Sequence, residues 1–392
     1  MITQIFNPDT IEGAHMKKIL ATTSALVAFG LVGSGQASAS EKIKLQLGGH
    51  SKWWIVGKWN DSKYQNALGG GQGTSYNNVD VIGDNEIHFV GSTTLDNGLK
   101  VGIQVELEAG GHTDMTSDTI DRSFVFVQGG FGKVILGSEA NSAEMLHIMA
   151  PDAAGNTGQD GLLTAGFAIA TPSNVYTAVS TELTAGGNAD KITYVSPNFH
   201  GLTIGVSYVP NYTEDSRAPS DASEYYTAAF NYSQEFSGVG IKVSGGYMWD
   251  DIGTQYDMNQ EWSLGTQISY AGFTLGGSFR KINNNFSTTM SNSSVSAVPS
   301  LDNSGRNWDA GIQYASGPWA ASFVYFSSKS RGIVNTAGDD SFTVYQASGK
   351  YTLGPGVDVL GTIGHADYKD ETTIVTNNNK GWAAMTGLSL TF

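Results

Sequence analysis

The sequence predicts an all-β fold, a transmembrane antiparallel β-barrel of sixteen strands. Three observations predict it: repeated runs in which apolar and polar residues alternate with period two, connections that switch strictly between short and long, and aromatic residues gathered at the strand ends.

In chain order the first element is an export leader. Met16-Lys17-Lys18 precedes a mostly apolar run, Ile19 to Val32, and then small residues ending in Ala37-Ser38-Ala39, the order of a secretory signal peptide over 16–39. That run is about 14 residues where a spanning helix needs roughly 20. Residues 1–15 read as an extension upstream of the initiator Met16, and 40–392 as the barrel itself. After Ser40 no stretch approaches 18 consecutive apolar residues, so strands must do the crossing.

The strands follow. Leu99, Val101, Ile103, Val105 and Leu107 alternate with Lys100, Gly102, Gln104, Glu106 and Glu108, giving one apolar and one polar face. The same pattern recurs with Leu202, Ile204, Val206 and Tyr208, with Trp262, Leu264, Thr266, Ile268 and Tyr270, and with Trp308, Ala310, Ile312 and Tyr314 on the apolar phase. A soluble sandwich alternates too. The aromatics argue otherwise: Trp53, Trp249, Trp262, Phe279, Trp308 and Tyr325 fall toward one end of their strands, and Phe131, Tyr270, Phe273, Tyr314 and Trp319 toward the other, as two membrane interfaces require.

Seven connections are short, at 96–98, 129–132, 198–201, 236–238, 271–272, 316–318 and 353–356, and carry Gly, Asn or Pro suited to hairpins. Eight polar loops lie between them, near 60–83, 110–118, 140–189, 211–223, 250–259, 284–305, 329–340 and 369–380. Seven turns and eight loops join sixteen strands, with both ends on the short-turn side. The last run, Trp382, Ala384, Thr386, Leu388, Leu390 and Phe392, would be an open edge in a sandwich and is expected to close on the first strand.

Composition excludes several functions. A formal charge of −15 argues against nucleic acid as a partner, and the absence of Cys removes disulfides and thiolate chemistry. Glycine, 50 of 392 residues against a usual share of roughly 7 %, suits bends and close contacts in a large sheet. No nucleophile elbow, zinc-protease helix or phosphate loop is present, so no enzyme is expected. His50 and His88 sit on polar faces where an outer-membrane hydrolase would place a base, but no nucleophile accompanies them in a recognisable pattern. No cofactor is expected. Calcium is the one metal considered, through Asp250 and Asp251 or through Asp152 and Asp160.

Four segments, FVGSTTLDNGL from Phe89, SFVFVQGGFGKVILG from Ser123, YVSPNFHG from Tyr194 and GLSLTF ending at Phe392, in this order and spacing resemble the general diffusion porins of Gram-negative bacteria. The resemblance implies a channel for small hydrophilic solutes and ions in the outer membrane, surrounded by lipid and lipopolysaccharide. It implies a homotrimer, with Ile43, Leu45, Leu47 and Phe392 in its contacts, and an assembly signal at Phe392. It also implies a third loop folded inward, which here is the longest, about 50 residues from Ala140 to Ala189. A substrate-specific channel would need an aromatic slide along the lumen, whereas Trp and Tyr here lie mainly on the apolar phase.

Porins of this type often set Arg on the constriction wall. Alignment of the motifs places Glu86, Asp121, Ile135 and Ser138 at such positions, with Arg122 one residue from the pore phase. Glu106 and Glu108 join them on the wall, Glu139, Glu144, Asp152 and Asp160 lie at or in the third loop, and His50 and Lys52 complete the expected lining. The expected preference is for cations.

Overall fold

A computed structural model of the protein describes residues 42–68, 78–110, 120–184, 186–211, 224–251, 260–283, 301–333 and 336–392. The expected leader, the upstream extension, most of loops two, four, five and six, and the side chains of Asp250 and Asp251 lie outside the described residues.

Sixteen antiparallel strands close into one barrel. They are β1 (Lys44–Asn60), β2 (Val79–Thr94), β3 (Lys100–Glu108), β4 (Ile120–Gly129), β5 (Gly132–Ser138), β6 (Asp190–Val195), β7 (Leu202–Val209) and β8 (Glu224–Phe236). The others are β9 (Val239–Asp251), β10 (Gln260–Tyr270), β11 (Phe273–Asn283), β12 (Leu301–Ser316), β13 (Trp319–Ile333), β14 (Asp340–Gly354), β15 (Val357–Lys369) and β16 (Asn379–Thr391). Two short helices, α1 (Ser62–Leu68) and α2 (Ser142–Met145), lie in loops one and three.

Each strand pairs with its neighbours in sequence, and β1 also pairs with β16, His50 standing opposite Thr391 and Trp59 opposite Trp382. Phe392 extends that ladder, exchanging backbone hydrogen bonds with Gly49 at 3.0 and 3.1 Å. No edge is left, as a sheet in a bilayer requires. The seven short turns occur where the sequence places them. At Ser237–Gly238 and Ala271–Gly272 both central residues have positive φ, the primed geometry whose twist matches paired strands. Loop six is shorter than expected, because Leu301 to Ser304 already belong to β12, which is irregular between Asp302 and Gly305.

The outer face is apolar. A band of cross-strand rings runs along it: Tyr208 to Tyr226, Tyr226 to Trp249, Trp262 to Phe279, Trp308 to Tyr325, and Tyr345 through His365 to Trp382, with centroids 4.9–5.3 Å apart. Near the turns, Phe273–Tyr314 and Trp319–Tyr351 form a second set. The upper band covers β7 to β16, whereas the outward residues of β3 to β6 are mostly aliphatic, among them Ile103, Val125, Leu136 and Ile192, with Tyr194 near the turns bonded to Phe131 O.

Those same strands are short. β5 and β6 have 7 and 6 residues, against 16 and 15 for β12 and β13. At about 3.3 Å per residue and a tilt near 40°, six residues rise only about 15 Å, less than the roughly 25 Å apolar band of a typical barrel. The barrel therefore has a tall, ring-belted side and a low, aliphatic side.

Candidate functional site

Loop three turns into the barrel, as the resemblance implied, and its sequence explains how it stays there. Asn141 caps α2 by accepting from the N–H groups of Ala143 and Glu144, which aims the chain along the inner wall. Polar inward side chains then receive it in strand order. Ser142 N donates to Ser207 of β7, Asn231 of β8 to Leu146 O, Ile148 N to Ser244 of β9, and Gln267 of β10 to Met149 O. Ala150 N donates to Asp309 of β12, Ala153 N to Ser322 of β13, and Asn156 to Thr362 of β15. The wall has little bulk along this track: a Cβ on Gly265 would lie 1.9 Å from Ile148 O, so the close backbone approach requires glycine there.

The loop's middle is apolar. Leu162, Leu163, Ala168, Ile169 and Val175 pack against inward Trp54, Val56, Phe326, Phe342, Val344, Tyr368 and Met385. Phe342 stacks on Tyr368 at 4.2 Å and meets Phe326 edge-on. Beyond this cluster Asn379 of β16 donates to Ala170 O at 2.7 Å, and Ala170 N donates to Asn60 of β1 at 3.0 Å. One side of the lumen is thus filled by loop three.

The adjoining wall, β1 to β4, carries charge. Register sets His50 opposite Glu86, Lys52 opposite Asp84, Glu86 opposite Glu108, and His88 opposite Glu106, so all of these point inward. The His50 ring bonds Asp84 through Nε2 at 2.9 Å, Lys52 Nζ lies 3.2 Å from the other Asp84 oxygen, and His88 Nε2 lies 2.6 Å from Glu86. Arg122 stands among four carboxylates, 3.2 Å from Glu139, 3.4 Å from Asp121, 3.8 Å from Glu106 and 3.9 Å from Glu144. From loop three, Asp160 and Asn156 approach Lys52 and Asp84 across a narrow crevice. Burial under the loop and the neighbouring Glu182 carboxylate push the Glu144 carboxyl up to about 8, against the pull of Arg122.

The expected lining residues divide accordingly. His50, Lys52, Glu86, Glu108, Asp121, Glu144 and Asp160 reach the open side of the lumen. Glu106 faces inward but is 2 % exposed, its Oε1 accepting from Gln104. Glu139 is fully buried: one oxygen accepts from Ala140 N and Arg122, so it fastens the loop's entry. Asp152 sits on the far side. Its carboxylate accepts from Ala154 N, Asn156 N, Thr157, Ser322 and Gln346, so it anchors the loop, and those donors occupy both oxygens that a calcium ion would use. Ser138 pairs with Ser123 on the outer phase, whereas Ile135 points inward and is buried with Phe124 and Phe126.

Asp84 and Arg122 are members of the site that the sequence left out or left open. Asp84 shares the phase of Glu86 and His88, a period-two signal that was there to be read. Arg122 follows a register shift between Glu106 and Leu107 that moves the phase by one. Two clusters of the described residues are oxygen-only: Glu86, Glu108 and Asp121 on this wall, and Asp340, Asp370 and Glu371 at the rim, each bringing carboxylate oxygens within 4.8 Å of one another.

Among the described residues, His50, His88 and His147 are not arranged for hydrolysis. His50 and His88 bond carboxylates, and His147, 3.5 Å from Ser263 Oγ, has Thr181 on its other nitrogen where a triad would have an acid. Burial and the nearby Arg280 push the His147 imidazole down to about 3.

A family model described as Gram-negative porin matches residues 21–371. The major outer membrane protein of Pasteurella multocida is 30 % identical over 87 residues, 22 % of this chain, so the match spans only 25 % of that curated relative. Among solved structures, the anion-selective porin from Comamonas acidovorans is 14 % identical with a TM-score of 0.58, over 90 % of this chain and 100 % of that one. A mutant of the Rh. blastica porin is 16 % identical with a TM-score of 0.57, over 89 % and 100 %. OmpT, an outer membrane protein of Vibrio cholerae in its trimer form, is 11 % identical with a TM-score of 0.58, over 91 % and 100 %.

Proposed function

The chain belongs to the Gram-negative porin family and forms an outer-membrane channel, and from that premise we propose that it passes small hydrophilic solutes and ions by passive diffusion, prefers cations and catalyses no reaction. The observation that carries the preference is the charge on both banks of the lumen. Asp84, Glu86, Glu108 and Asp121 on the wall, with Glu144 and Asp160 on the loop, stand at the open side of the lumen against Lys52 and Arg122, while Glu106, Glu139 and Lys191 lie buried behind them. Of the further inward cations, Arg280 is spent on Glu261 at 2.5 Å, Lys133 lies over the Phe124 and Phe126 rings, and Lys242 stands on β9 away from the charged wall.

Like charges about 4 Å apart repel by roughly 1 kcal/mol in water and several-fold more beside protein. A passing cation relieves that repulsion and an anion adds to it. The similar solved porin from Comamonas acidovorans is described as anion-selective; at 14 % identity it shares the fold, while selectivity follows the side chains.

The low side of the barrel favours a homotrimer. Strands too short to cross an apolar band, and lacking the ring belt, are covered when a second copy stands against them. Ile43, Leu45 and Leu47, at least 43 % exposed, and Phe392, 60 % exposed, continue that aliphatic face.

Reversal potential across a planar bilayer under a KCl gradient tests the reading, with three equal conductance steps expected from each inserted oligomer. The sign should report K⁺ preference, and Glu86→Arg should move it toward chloride. A chloride-preferring wild type would refute the charge argument.

A further inference from the structure

We infer that His50, Glu86 and His88 form a binding site for a borderline-soft divalent transition cation, zinc or a neighbouring metal, on the lumen wall. The backbone brings the three together. Glu86 and His88 are two residues apart on one strand and share its inner face, and register sets His50 directly opposite Glu86 on β1. One ligand-capable atom from each residue lies within 4.8 Å of the other two.

The geometry is close to a coordination shell. Glu86 Oε2 is 2.6 Å from His88 Nε2 and 3.8 Å from His50 Nδ1. Ligand atoms around one tetrahedral zinc, each about 2.0–2.1 Å from the metal, stand about 3.3 Å apart, so side-chain shifts of under an ångström or so admit the ion. Three protein ligands would leave the fourth position to water from the channel.

Two further observations point to a metal. First, His50 turns Nδ1 toward Glu86 because Nε2 donates to Asp84 at 2.9 Å. A carboxylate holding the far nitrogen of a ligating imidazole is the arrangement that orients and strengthens such ligands. Second, His88 is 2 % exposed, with Nε2 held 2.6 Å from Glu86 and its ring edge-on to His50 at 6.2 Å, so a buried imidazole is already aimed at the carboxylate and the second imidazole that would share the ion.

The ligand set decides the class. Two imidazoles and one carboxylate suit zinc, copper or nickel, whereas calcium and magnesium require oxygen. Local charge favours entry: Asp84, Glu86, Glu106, Glu108 and Asp121 surround the site against Lys52 and Arg122.

Calorimetric titration of the folded, detergent-solubilised protein with zinc chloride tests the site. Wild type should bind one zinc per chain at this site, and calcium at equal concentration should not displace it. Asp84→Asn should weaken binding by about 10- to 100-fold, and His50→Asn or His88→Asn by more. His365→Asn, altered on the outer ring belt, should bind as wild type. Heat-modifiable gel migration checks that every variant is folded. Binding that survives both His50→Asn and His88→Asn, or that calcium abolishes, would overturn the proposal.

Binding does not rest on the channel reading, but a second readout does: zinc should lower single-channel current in wild type. Current unchanged with zinc bound would overturn the placement of this wall in the ion path, while the titration still decides the site.

Discussion

The two halves of the inner wall are built on the same strands and turns, yet they behave as different materials. On β13 to β16 the inward phase includes Phe326, Phe342, Val344, Tyr368 and Met385, with Ser322, Gln346, Thr362 and Asn379 as polar anchors between them, and loop three lies on it as a second layer. On β1 to β4 the inward phase carries His50, Lys52, Asp84, Glu86, His88, Glu106 and Arg122, facing the channel or the loop's charged flank, beside a smaller apolar share in Trp54, Val56, Phe124 and Phe126. The difference teaches that a barrel interior is not one environment. Apolar side chains there hold a constriction in place, and charged ones facing it filter what passes.

The comparison can be broken most severely on the apolar half. Phe342→Ala removes a fully buried ring from the centre of the cluster and should cost about 3–5 kcal/mol. It should lower the thermal unfolding midpoint and give larger, noisier single-channel currents as the loop loosens. Unchanged current with a lowered midpoint would show that the cluster stabilises the wall without holding the loop.

A smaller loss is expected from Asp152→Asn. The amide keeps one acceptor oxygen where the carboxylate serves Ser322, Gln346 and three loop donors, so about 1–3 kcal/mol should go. If Asp152 belonged to the filter, its replacement would shift the reversal potential; the expected shift is negligible. The matching change on the charged half, Glu86→Arg, should do the reverse, moving selectivity with little effect on the midpoint.

The smallest effect sharpens the charged half alone. Because the Glu144 carboxyl is raised to about 8, it is mostly protonated at pH 6 and ionised at pH 9. Negative charge is therefore gained as pH rises, and cation preference should increase across that window. Reversal potentials at both pH values should differ in wild type and differ less in Glu144→Gln. A shift toward anions at high pH would contradict the assignment.

Much of this was legible in the sequence. Strand number, turn positions and closure followed from alternation and turn chemistry, both local properties. The apolar half was legible too, since Phe323-Val324-Tyr325-Phe326 is apolar on both phases, the mark of a strand covered on both faces. Ile135 and Ser138 could not both line the lumen, because residues three apart in a strand lie on opposite faces. Arg122 was harder: a register irregularity adds one residue on one side only, and nothing in composition announces it. The role of Asp152 was out of reach, since its partners Ser322 and Gln346 lie 170 and 194 residues away.

The contact of Ala170 with both Asn60 and Asn379 bears on how the molecule is made. Those asparagines belong to the first and last strands, and Asn379 also donates to Asn60 at 2.8 Å, so the loop is sewn into the seam at which the cylinder shuts. Contacts of such long sequence separation form late, after the entropy of closing long loops has been met. Final seating of the loop therefore cannot precede the arrival of the last hairpin. An assembling chain passes through a stage in which its staves are in place but its bore is still wide. Completion of the wall and narrowing of the bore become a single event, so an incompletely shut protein is also an ungated leak.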